Sequence, residues 1–318
     1  MSAPTGTATA TEPTSRRLVH RVVSDEPMLT VEDLRVQFPT DRGDFNAVNG
    51  VSFTLNRGER FGLVGESGSG KSTTALAIMR MIKPPGRIIS GRILLHRDGG
   101  TVDMATLSDE QMREMRLSAV SMIPQGSMNS LNPVRRVRDH FEDSILAHNE
   151  KATKGEIAER MKELLTMVGL PLSAGKLYPH ELSGGMKQRV CIALSITLAP
   201  SVIIADEPTS ALDVVVQRRV METLGHVQDL IGASVLFVGH DMGLLAQFVD
   251  RVGVMYRGKL VEVDTIQNIF AAPRHPYTQM LISSLPTLTE RGAFRKARSA
   301  SDAATAANIA ASTPGTSS

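Results

Sequence analysis

The chain has 318 residues, of which 42% are hydrophobic and 21% charged, and its formal net charge is +2. This length suffices for one large or two small domains with a hydrophobic core, and the charge gives no indication of a nucleic-acid partner. No run of about 18 apolar residues occurs that could form a transmembrane helix, and the single Cys191 cannot form an intrachain disulfide. Composition alone therefore favours a protein of the cytoplasm.

The N-terminal part of the chain predicts a leader followed by β-strands. Residues 1–26 are rich in Ser, Thr, Ala and Pro and predict a disordered leader. Residues 29–38 alternate partly between apolar and polar side chains, which favours a strand at the edge of a sheet, and residues 47–55 predict a second strand. Apolar runs at residues 92–96 and 101–104 flank an Asp-Gly-Gly turn and predict a β-hairpin.

A glycine-rich loop lies between the next predicted strand and helix. Residues 65–72 read GESGSGKS and fit the pattern G-x-x-x-x-G-K-[ST], with an apolar run before them and a helix-forming run after them. The glycines let backbone N–H groups surround phosphates, and the helix N-terminus adds a positive partial charge. Lys71 can reach the β- and γ-phosphates, and the Ser72 hydroxyl can bind Mg²⁺. The predicted phosphate-binding set is Gly65, Glu66, Ser67, Gly68, Ser69, Gly70, Lys71, Ser72 and Thr73.

The remainder of the chain predicts helices first and strands afterwards. From about residue 108 to residue 198 the apolar pattern is helical. Its clearest single helix face comprises Ile157, Met161, Leu164, Leu165 and Val168. Strand-like apolar runs then alternate with helices at residues 201–205, 234–238 and 251–256. This alternation predicts a parallel sheet covered on both faces, and the Ala, Ser and Thr of residues 289–318 predict a disordered tail.

Two carboxylates end one of these predicted strands. Residues 202–207 read VIIADE, and ligand chemistry in a parallel sheet lies beyond the carboxyl ends of its strands. Asp206 would hold Mg²⁺ directly or through water, and Glu207 would act as a general base on the water that attacks the γ-phosphate. Acidic residues often follow strands merely because loops are solvated, and the preceding phosphate loop is what favours the functional interpretation.

A second helix start carries the features of an anion-binding element. Residues 182–189 read LSGGMKQR, in which Ser183 is a suitable N-cap for the helix that follows. An ordinary capped helix would explain Ser183 but not the adjacent Gly184 and Gly185, which let backbone N–H groups approach an anion closely. These residues and Gln188 are predicted to bind nucleotide. A second phosphate-binding element suggests that two chains share one nucleotide.

With LSGGMKQR, the sequence resembles the ATP-binding cassette (ABC) ATPases over roughly residues 28–285. Residues 65–72 are similar to that family's Walker A motif, residues 202–207 to Walker B and residues 210–213 to the D-loop. The resemblance implies an α/β fold of the P-loop NTPase class, with a RecA-like parallel-sheet core, an antiparallel β subdomain and an inserted helical subdomain. The implied domains are the ATPase domain at residues 27–264, with its helical subdomain at about 107–190, and a C-terminal extension at 265–288.

Further site residues follow from the resemblance. It implies that Gln125 contacts Mg²⁺ and the attacking water, and that His240 contacts the γ-phosphate of ATP. Phe38 stands where the family places an aromatic ring that stacks on adenine, with Phe45 as the less favoured candidate. The implied catalytic set is thus Glu207, His240 and Gln125, and the implied metal ligands are Ser72, Gln125 and Asp206.

A subfamily can also be distinguished. Residues 122–134, 205–217 and 273–278 resemble the oligopeptide/dipeptide/nickel importers, the last through a His-Pro-Tyr box. The resemblance implies an ATPase at the cytoplasmic face of the inner membrane, with two permease subunits and, indirectly, an extracytoplasmic solute-binding protein. It also implies a second homologous ATP-binding subunit, with a heterodimer favoured and a homodimer open. Residues 125–141 are expected to receive a permease helix on a surface containing Met128, Leu131 and Val134.

The sequence leaves alternatives open for the substrate and for the role of the ATPase. Pro124, Gly126 and Gly239 depart from the subfamily's usual residues, and an oligosaccharide importer stays open as a second substrate class. A soluble ABC ATPase acting on DNA or ribosomes is disfavoured, because the chain has one cassette and only a short stretch between Gln125 and the signature. A regulatory module that binds ATP without hydrolysis is disfavoured by Glu207 and His240.

Overall fold

The computed structural model describes residues 23–41, 43–126, 130–210 and 212–285. The chain divides into two compact units, Met1–Ile266 and Gln267–Ser318. The predicted leader, apart from its last four residues, and the predicted tail lie outside the described residues. Ser24 donates its backbone N–H to Arg57 O at 3.2 Å, and Arg57 donates to Glu26 O at 2.9 Å. The chain therefore contacts the fold before the predicted boundary at residue 26.

A six-stranded sheet forms the centre of the first unit. Its strands are β3 (Arg60–Val64), β6 (Val120–Ile123), β7 (Val202–Asp206), β8 (Ser234–Gly239), β9 (Arg251–Tyr256) and β10 (Lys259–Thr265). They lie in the order β10-β9-β3-β8-β7-β6, all parallel except the antiparallel edge strand β10. Strands β7 and β8 are buried throughout, as expected for parallel strands covered on both faces. The predicted parallel sheet is confirmed.

A second, antiparallel sheet has four strands. They are β1 (Pro27–Thr40), β2 (Gly43–Asn56), β4 (Arg87–Arg97) and β5 (Gly100–Asp103), in the order β2-β1-β4-β5. The predicted hairpin is present as β4 and β5. The prediction that the first strand is an edge strand is wrong, because β1 lies between β2 and β4. Alternation reports which face of a strand is buried and not how many strands flank it.

Seven helices of the described residues belong wholly to the first unit. They are α1 (Lys71–Ile78), α2 (Asp109–Met115), α3 (Val137–Leu146), α4 (Lys154–Met167), α5 (Gly184–Ser195), α6 (Val214–Ile231) and α7 (Met242–Leu245). The predicted face of α4 is confirmed, with Ile157, Leu164 and Leu165 buried. The expectation that the pattern is helical from about residue 108 to residue 198 is wrong at β6, which joins the central sheet beside β7.

Helix α1 lies between the two sheets and joins their cores. It contacts β1 and β2 of the antiparallel sheet and β7 and β8 of the central sheet. Its small residues Ala75 and Ala77 are fully buried, and both sheets contribute to one hydrophobic cluster around them. Fully burying a side chain such as Leu63 contributes about 1.5–3 kcal/mol, so this cluster fixes α1 firmly. The position of the helix that follows the glycine-rich loop is thereby set.

The second unit begins just within α8 (Ile266–Ala271) and contains α9 (Pro276–Ser283). The His-Pro-Tyr box forms the start of α9, where the His275 ring accepts a hydrogen bond from Tyr277 N at 3.1 Å. Pro276 occupies the first helical position, where a missing N–H costs nothing. In the described parts of the chain, no helix has both the length and the apolar composition to cross a membrane.

Candidate active site

The glycine-rich loop requires glycine at both of its ends. Gly65 has a φ of +148°, and a Cβ there would lie 2.1 Å from the backbone oxygen of Met255. Gly70 has a φ of +102°, and a Cβ there would lie 2.3 Å from the backbone oxygen of Ala47. Both contacts are with backbone and cannot give way. The loop is therefore packed between β2 and β9, with its backbone N–H groups next to the start of α1.

Lys71 is almost completely buried beneath this loop, with 5% exposure. Its Nζ donates to Gly65 O at 2.9 Å, Glu66 O at 2.8 Å and Ser69 Oγ at 3.3 Å. Burial lowers the pKa of the Lys71 ammonium, while the nearby Glu207 carboxylate opposes this shift. A buried cation held by neutral oxygens is favourably paired with an anion, which is what a phosphate would supply.

Ser72 and Asp206 bring two oxygen ligands together from different elements. Ser72, in α1, donates its hydroxyl to Asp206 Oδ1, at the end of β7, at 2.9 Å. Asp206 is 3% exposed, and burial raises the pKa of its carboxyl, opposed by the Ser72 hydrogen bond. A divalent cation would offset this unfavourable burial of a carboxylate.

Glu207 lies at the centre of the predicted catalytic group. Its Oε2 accepts a hydrogen bond from Gln125 Nε2 at 2.9 Å, and its Oε1 accepts one from His240 Nδ1 at 2.9 Å. Because a carboxylate can only accept, the proton of the neutral imidazole resides on Nδ1 of His240. Gln125 follows β6, Glu207 follows β7 and His240 follows β8. The order of these three adjacent strands therefore brings the three side chains together.

The backbone of Glu207 supports this arrangement. Its φ of +45° is unusual for a residue with a side chain, and its N–H donates to Val238 O, in β8, at 2.8 Å. Such conformations persist when the surrounding structure enforces them, and they cluster at functional sites. The turn after β7 thus aims the carboxylate toward the neighbouring strand ends.

The second glycine pair lies at the start of helix α5. Ser183 caps α5, accepting a hydrogen bond from Met186 N at 3.3 Å, and it is exposed. A Cβ on Gly185 would lie 2.8 Å from a methyl group of Val216, so close packing of α6 also accounts for this glycine. Gln188 is 2% exposed and lies within α5, and its contact with a nucleotide remains a prediction.

The two candidate aromatic rings face each other across β1 and β2. Phe38 and Phe45 are register partners. The Phe38 ring is partly buried against Gly86, where a Cβ would lie 2.4 Å from its Cε1, whereas Phe45 is 57% exposed. Stacking of adenine on Phe38 remains a prediction.

Sequence reasoning missed one support of the glycine-rich loop, the turn between β9 and β10. Gly258 N, in this turn, donates to Ser69 O at 3.0 Å, and Met255 O packs against Gly65. A glycine two residues after the predicted strand at residues 251–256 was the available signal. Together, a glycine-rich loop between β3 and α1 and a carboxylate pair at the end of β7, two strands away from β3 in the sheet, define a nucleoside triphosphatase of the P-loop class.

Comparison with known proteins gives the family. The model of the ABC transporter family matches residues 48–210, and that of the oligopeptide/dipeptide transporter C-terminal region matches residues 261–310. The chain is 43% identical over 268 residues to the oligopeptide transport ATP-binding protein OppD of Bacillus subtilis, which covers 83% of this chain and 74% of that protein. It is 42% identical to the dipeptide transport ATP-binding protein DppD of the same organism, covering 84% and 79%.

Other relatives agree with this assignment. The glutathione import ATP-binding protein GsiA of Escherichia coli K12 is 42% identical over 82% of this chain, which spans 42% of that longer protein. A dimeric, post-hydrolysis structure of the ATP-binding cassette MJ0796 with ADP and Pi has a TM-score of 0.65 and 25% identity, covering 75% of this chain and 99% of that one. The cbiO1 structure from Clostridium perfringens has a TM-score of 0.65 and 28% identity, covering 78% and 92%.

The chain belongs to the ABC transporter ATP-binding proteins, and it is an ATPase. The fold class predicted from the motifs is confirmed, with both sheets and the inserted helices present. Proteins of this family work with membrane permease components and dimerise, which accords with peripheral association with a transporter.

Proposed function

We propose that this chain hydrolyses ATP to power an importer of oligopeptides, dipeptides or related peptides, at the cytoplasmic face of the membrane. The observation that carries the hydrolytic part is the convergence of Gln125 and His240 on the two oxygens of Glu207. The peptide part is supported by the C-terminal region at residues 261–310 and by the names of the relatives. An oligosaccharide is the second substrate class.

Binding begins at the glycine-rich loop. The Lys71 ammonium exchanges the loop carbonyls of Gly65 and Glu66 for the β- and γ-phosphate oxygens of ATP, a charge-assisted contact that favours the cationic form. The N-terminus of α1 adds its positive partial charge. Because α1 is fixed between two hydrophobic sheets, these donors need little reorganisation when the nucleotide binds.

The oxygen donors beside the loop fit Mg²⁺. The Ser72 hydroxyl, the Asp206 carboxylate and the Gln125 amide oxygen are the hard ligands that this ion prefers. Bound there, Mg²⁺ would neutralise charge on the β- and γ-phosphates. Ser72 and Asp206 are already 2.9 Å apart, so α1 and β7 hold two of these donors together.

Glu207 is proposed to accept the proton of the attacking water as a general base. His240 donates from Nδ1 to Glu207, which fixes the carboxylate and leaves Nε2 as the acceptor of the neutral ring. Gln125 holds the other carboxylate oxygen through its amide N–H. Both neighbours position the base, and a change in either contact would alter its access to water.

The groups that bind the other side of the nucleotide are proposed to come from a second cassette. Ser183 and Gly184 at the start of α5 offer a hydroxyl and a helix N-terminus that suit a γ-phosphate. We propose a homologous second ATP-binding subunit, with a heterodimer favoured and a homodimer open. Two permease subunits and an extracytoplasmic solute-binding protein complete the proposed importer.

A turn after Gln125 is the proposed contact with the permease. Val134 N donates to Asn132 Oδ1 at 3.2 Å and Arg135 N to Asn132 O at 3.1 Å, which closes the turn. Val134 at its tip is 79% exposed. The predicted exposure of Leu131 is wrong, because this side chain is 5% exposed and packs internally, and Met128 lies outside the described residues.

The test is transport by the assembled importer in proteoliposomes, with the candidate solute-binding protein outside and ATP inside. Labelled dipeptides, oligopeptides and an oligosaccharide are compared, and the Glu207→Gln chain is the matched inactive control. We expect ATP-dependent uptake of a peptide and none with the control. Uptake of the oligosaccharide alone would show that the substrate is an oligosaccharide and not a peptide. Stimulation of hydrolysis by DNA or ribosomes, without transport, would overturn the proposal.

A further inference from the structure

Two arginines join the end of α1 to the short helix α2. Arg116, directly after α2, donates from Nε to Met79 O at 3.1 Å and from Nη2 to Arg80 O at 3.2 Å. In return, the Arg80 guanidinium donates to Leu107 O, just before α2, and pairs with Asp109 at 3.4 Å. The two carbonyls that directly follow α1 are thus bound by the residue that follows α2, and the start of α2 is bound by Arg80.

Helix α2 also binds the end of α3. Arg113 donates from Nη1 to Ala147 O, at the C-terminus of α3, at 3.0 Å. His148 donates from Nε2 to Arg116 O at 2.8 Å. Helix α3 is the element that follows Gln125 and the turn bearing Val134. One short helix therefore contacts both the phosphate-loop helix and the first helix of the inserted segment.

These bonds also have a purely structural interpretation. The final carbonyls of a helix have no partner within it, and arginine side chains commonly satisfy them. The ion pairs themselves add little, since Asp109 is fully exposed and the Glu110 that pairs with Arg113 is 67% exposed. Capping alone does not account for this arrangement, because Arg113 binds the end of α3 and Arg116 binds the end of α1. These two arginines are only three positions apart.

We propose that Arg113 and Arg116 are positioning residues that make α2 a bracket between α3 and α1. Helix α1 carries Lys71 and Ser72 at its other end and is only about 12 Å long at the usual rise per residue, so a displaced C-terminus tilts both site residues. A movement of α3 reaches the phosphate loop through Arg113, α2 and Arg116. The coupling of the phosphate loop to a permease rests on the proposed function, whereas the bracing of α1 by Arg116 is independent of it.

The first test measures ATP hydrolysis by the full chain. Arg116→Ala is expected to raise the KM for ATP by about threefold or more, since small displacements of binding groups are costly. Arg116→Lys keeps a donor for the two carbonyls and is expected to restore most of the affinity. The control for Arg113→Ala in the second test is Lys162→Ala, because Lys162 is 54% exposed like Arg113 and also pairs with a glutamate three residues earlier.

All variants are measured well below their unfolding temperatures. If Arg116 had only a structural role, its replacement would lower the unfolding temperature, but Arg116→Ala and Arg116→Lys would have the same KM for ATP. Arg116→Met, which keeps a long side chain but has no hydrogen-bond donor, serves if Arg116→Ala does not fold, and the same rise in KM is expected. An unchanged KM in folded Arg116→Ala or Arg116→Met would overturn the bracing of α1.

The second test measures stimulation by the assembled, solute-supplied transporter relative to the chain alone. Arg113→Ala is expected to leave the unstimulated rate and the KM unchanged and to reduce the stimulation by about twofold or more, with recovery in Arg113→Lys. Full stimulation in Arg113→Ala would overturn the coupling. If the unaltered chain is not stimulated at all, the proposed function fails, and the Arg116 series still decides whether α2 braces α1.

Discussion

The phosphate loop and the start of α5 both present helix N-termini, yet they are built differently. The loop is enclosed by backbone on several sides, since Gly65 and Gly70 each meet a backbone oxygen and Gly258 N bonds to Ser69 O. The start of α5 is exposed at Ser183, and Gly185 meets only a side-chain methyl of Val216. We propose that the first element binds the nucleotide of its own chain and that the second completes the site of a nucleotide held by another chain.

The largest expected effect is at the enclosed element. Lys71→Ala removes the ammonium group that donates to Gly65 O and Glu66 O, and we expect loss of ATP binding with the fold retained. Nucleotide binding is measured by equilibrium dialysis, and folding by thermal unfolding. A folded Lys71→Ala chain that hydrolyses ATP at the unaltered rate would contradict the assignment of the loop.

A smaller effect is expected at the exposed element. Ser183→Ala removes the N-cap of α5, which costs about 0.5–2 kcal/mol of stability, and also one proposed donor to the partner's nucleotide. We expect ATP binding by the single chain to be unchanged and ATP-dependent dimerisation to weaken. Thr153→Ala, which removes the cap of α4, is the matched control. Equal loss of dimerisation in both variants would show a general effect of stability.

The smallest effect is expected at the aromatic pair. If adenine stacks on Phe38, Phe38→Ala weakens ATP binding by about 0.5–1.5 kcal/mol more than binding of inorganic triphosphate, which lacks a base. Phe45→Ala is the control, because Phe45 is its register partner on the adjacent strand. The reverse pattern, in which Phe45→Ala selectively weakens ATP binding, would show that adenine stacks on the exposed ring of Phe45.

Local sequence patterns predicted the parts of the molecule whose chemistry is local. The glycine-rich loop, the β4–β5 hairpin and the buried face of α4 each depend on residues close in the chain. Strand β6 was missed because a four-residue strand buried on both faces has no periodicity that distinguishes it from helix. Its omission hid why Gln125 reaches Glu207, since that contact depends on β6 lying beside β7.

Burial of individual side chains was predicted less well. Leu131 was expected on a surface and Gln188 at a ligand, and both are buried within the chain. A local motif places a residue along a helix or a turn but does not contain the packing of the rest of the chain around it, so the sequence did not predict these two burials.

Glu207 is proposed to be the general base in an active site that two chains share. Replacing it by Gln keeps the shape and removes the proton acceptor, and loss of a general base typically costs ~10²–10⁴-fold in rate. The decisive measurement is native mass spectrometry of Glu207→Gln with its partner cassette, with and without ATP, alongside single-turnover hydrolysis. We expect ATP to be bound, hydrolysis to be reduced by that factor and an ATP-dependent dimer to accumulate. Near-normal hydrolysis, or no association in ATP with the partner present, would contradict the claim.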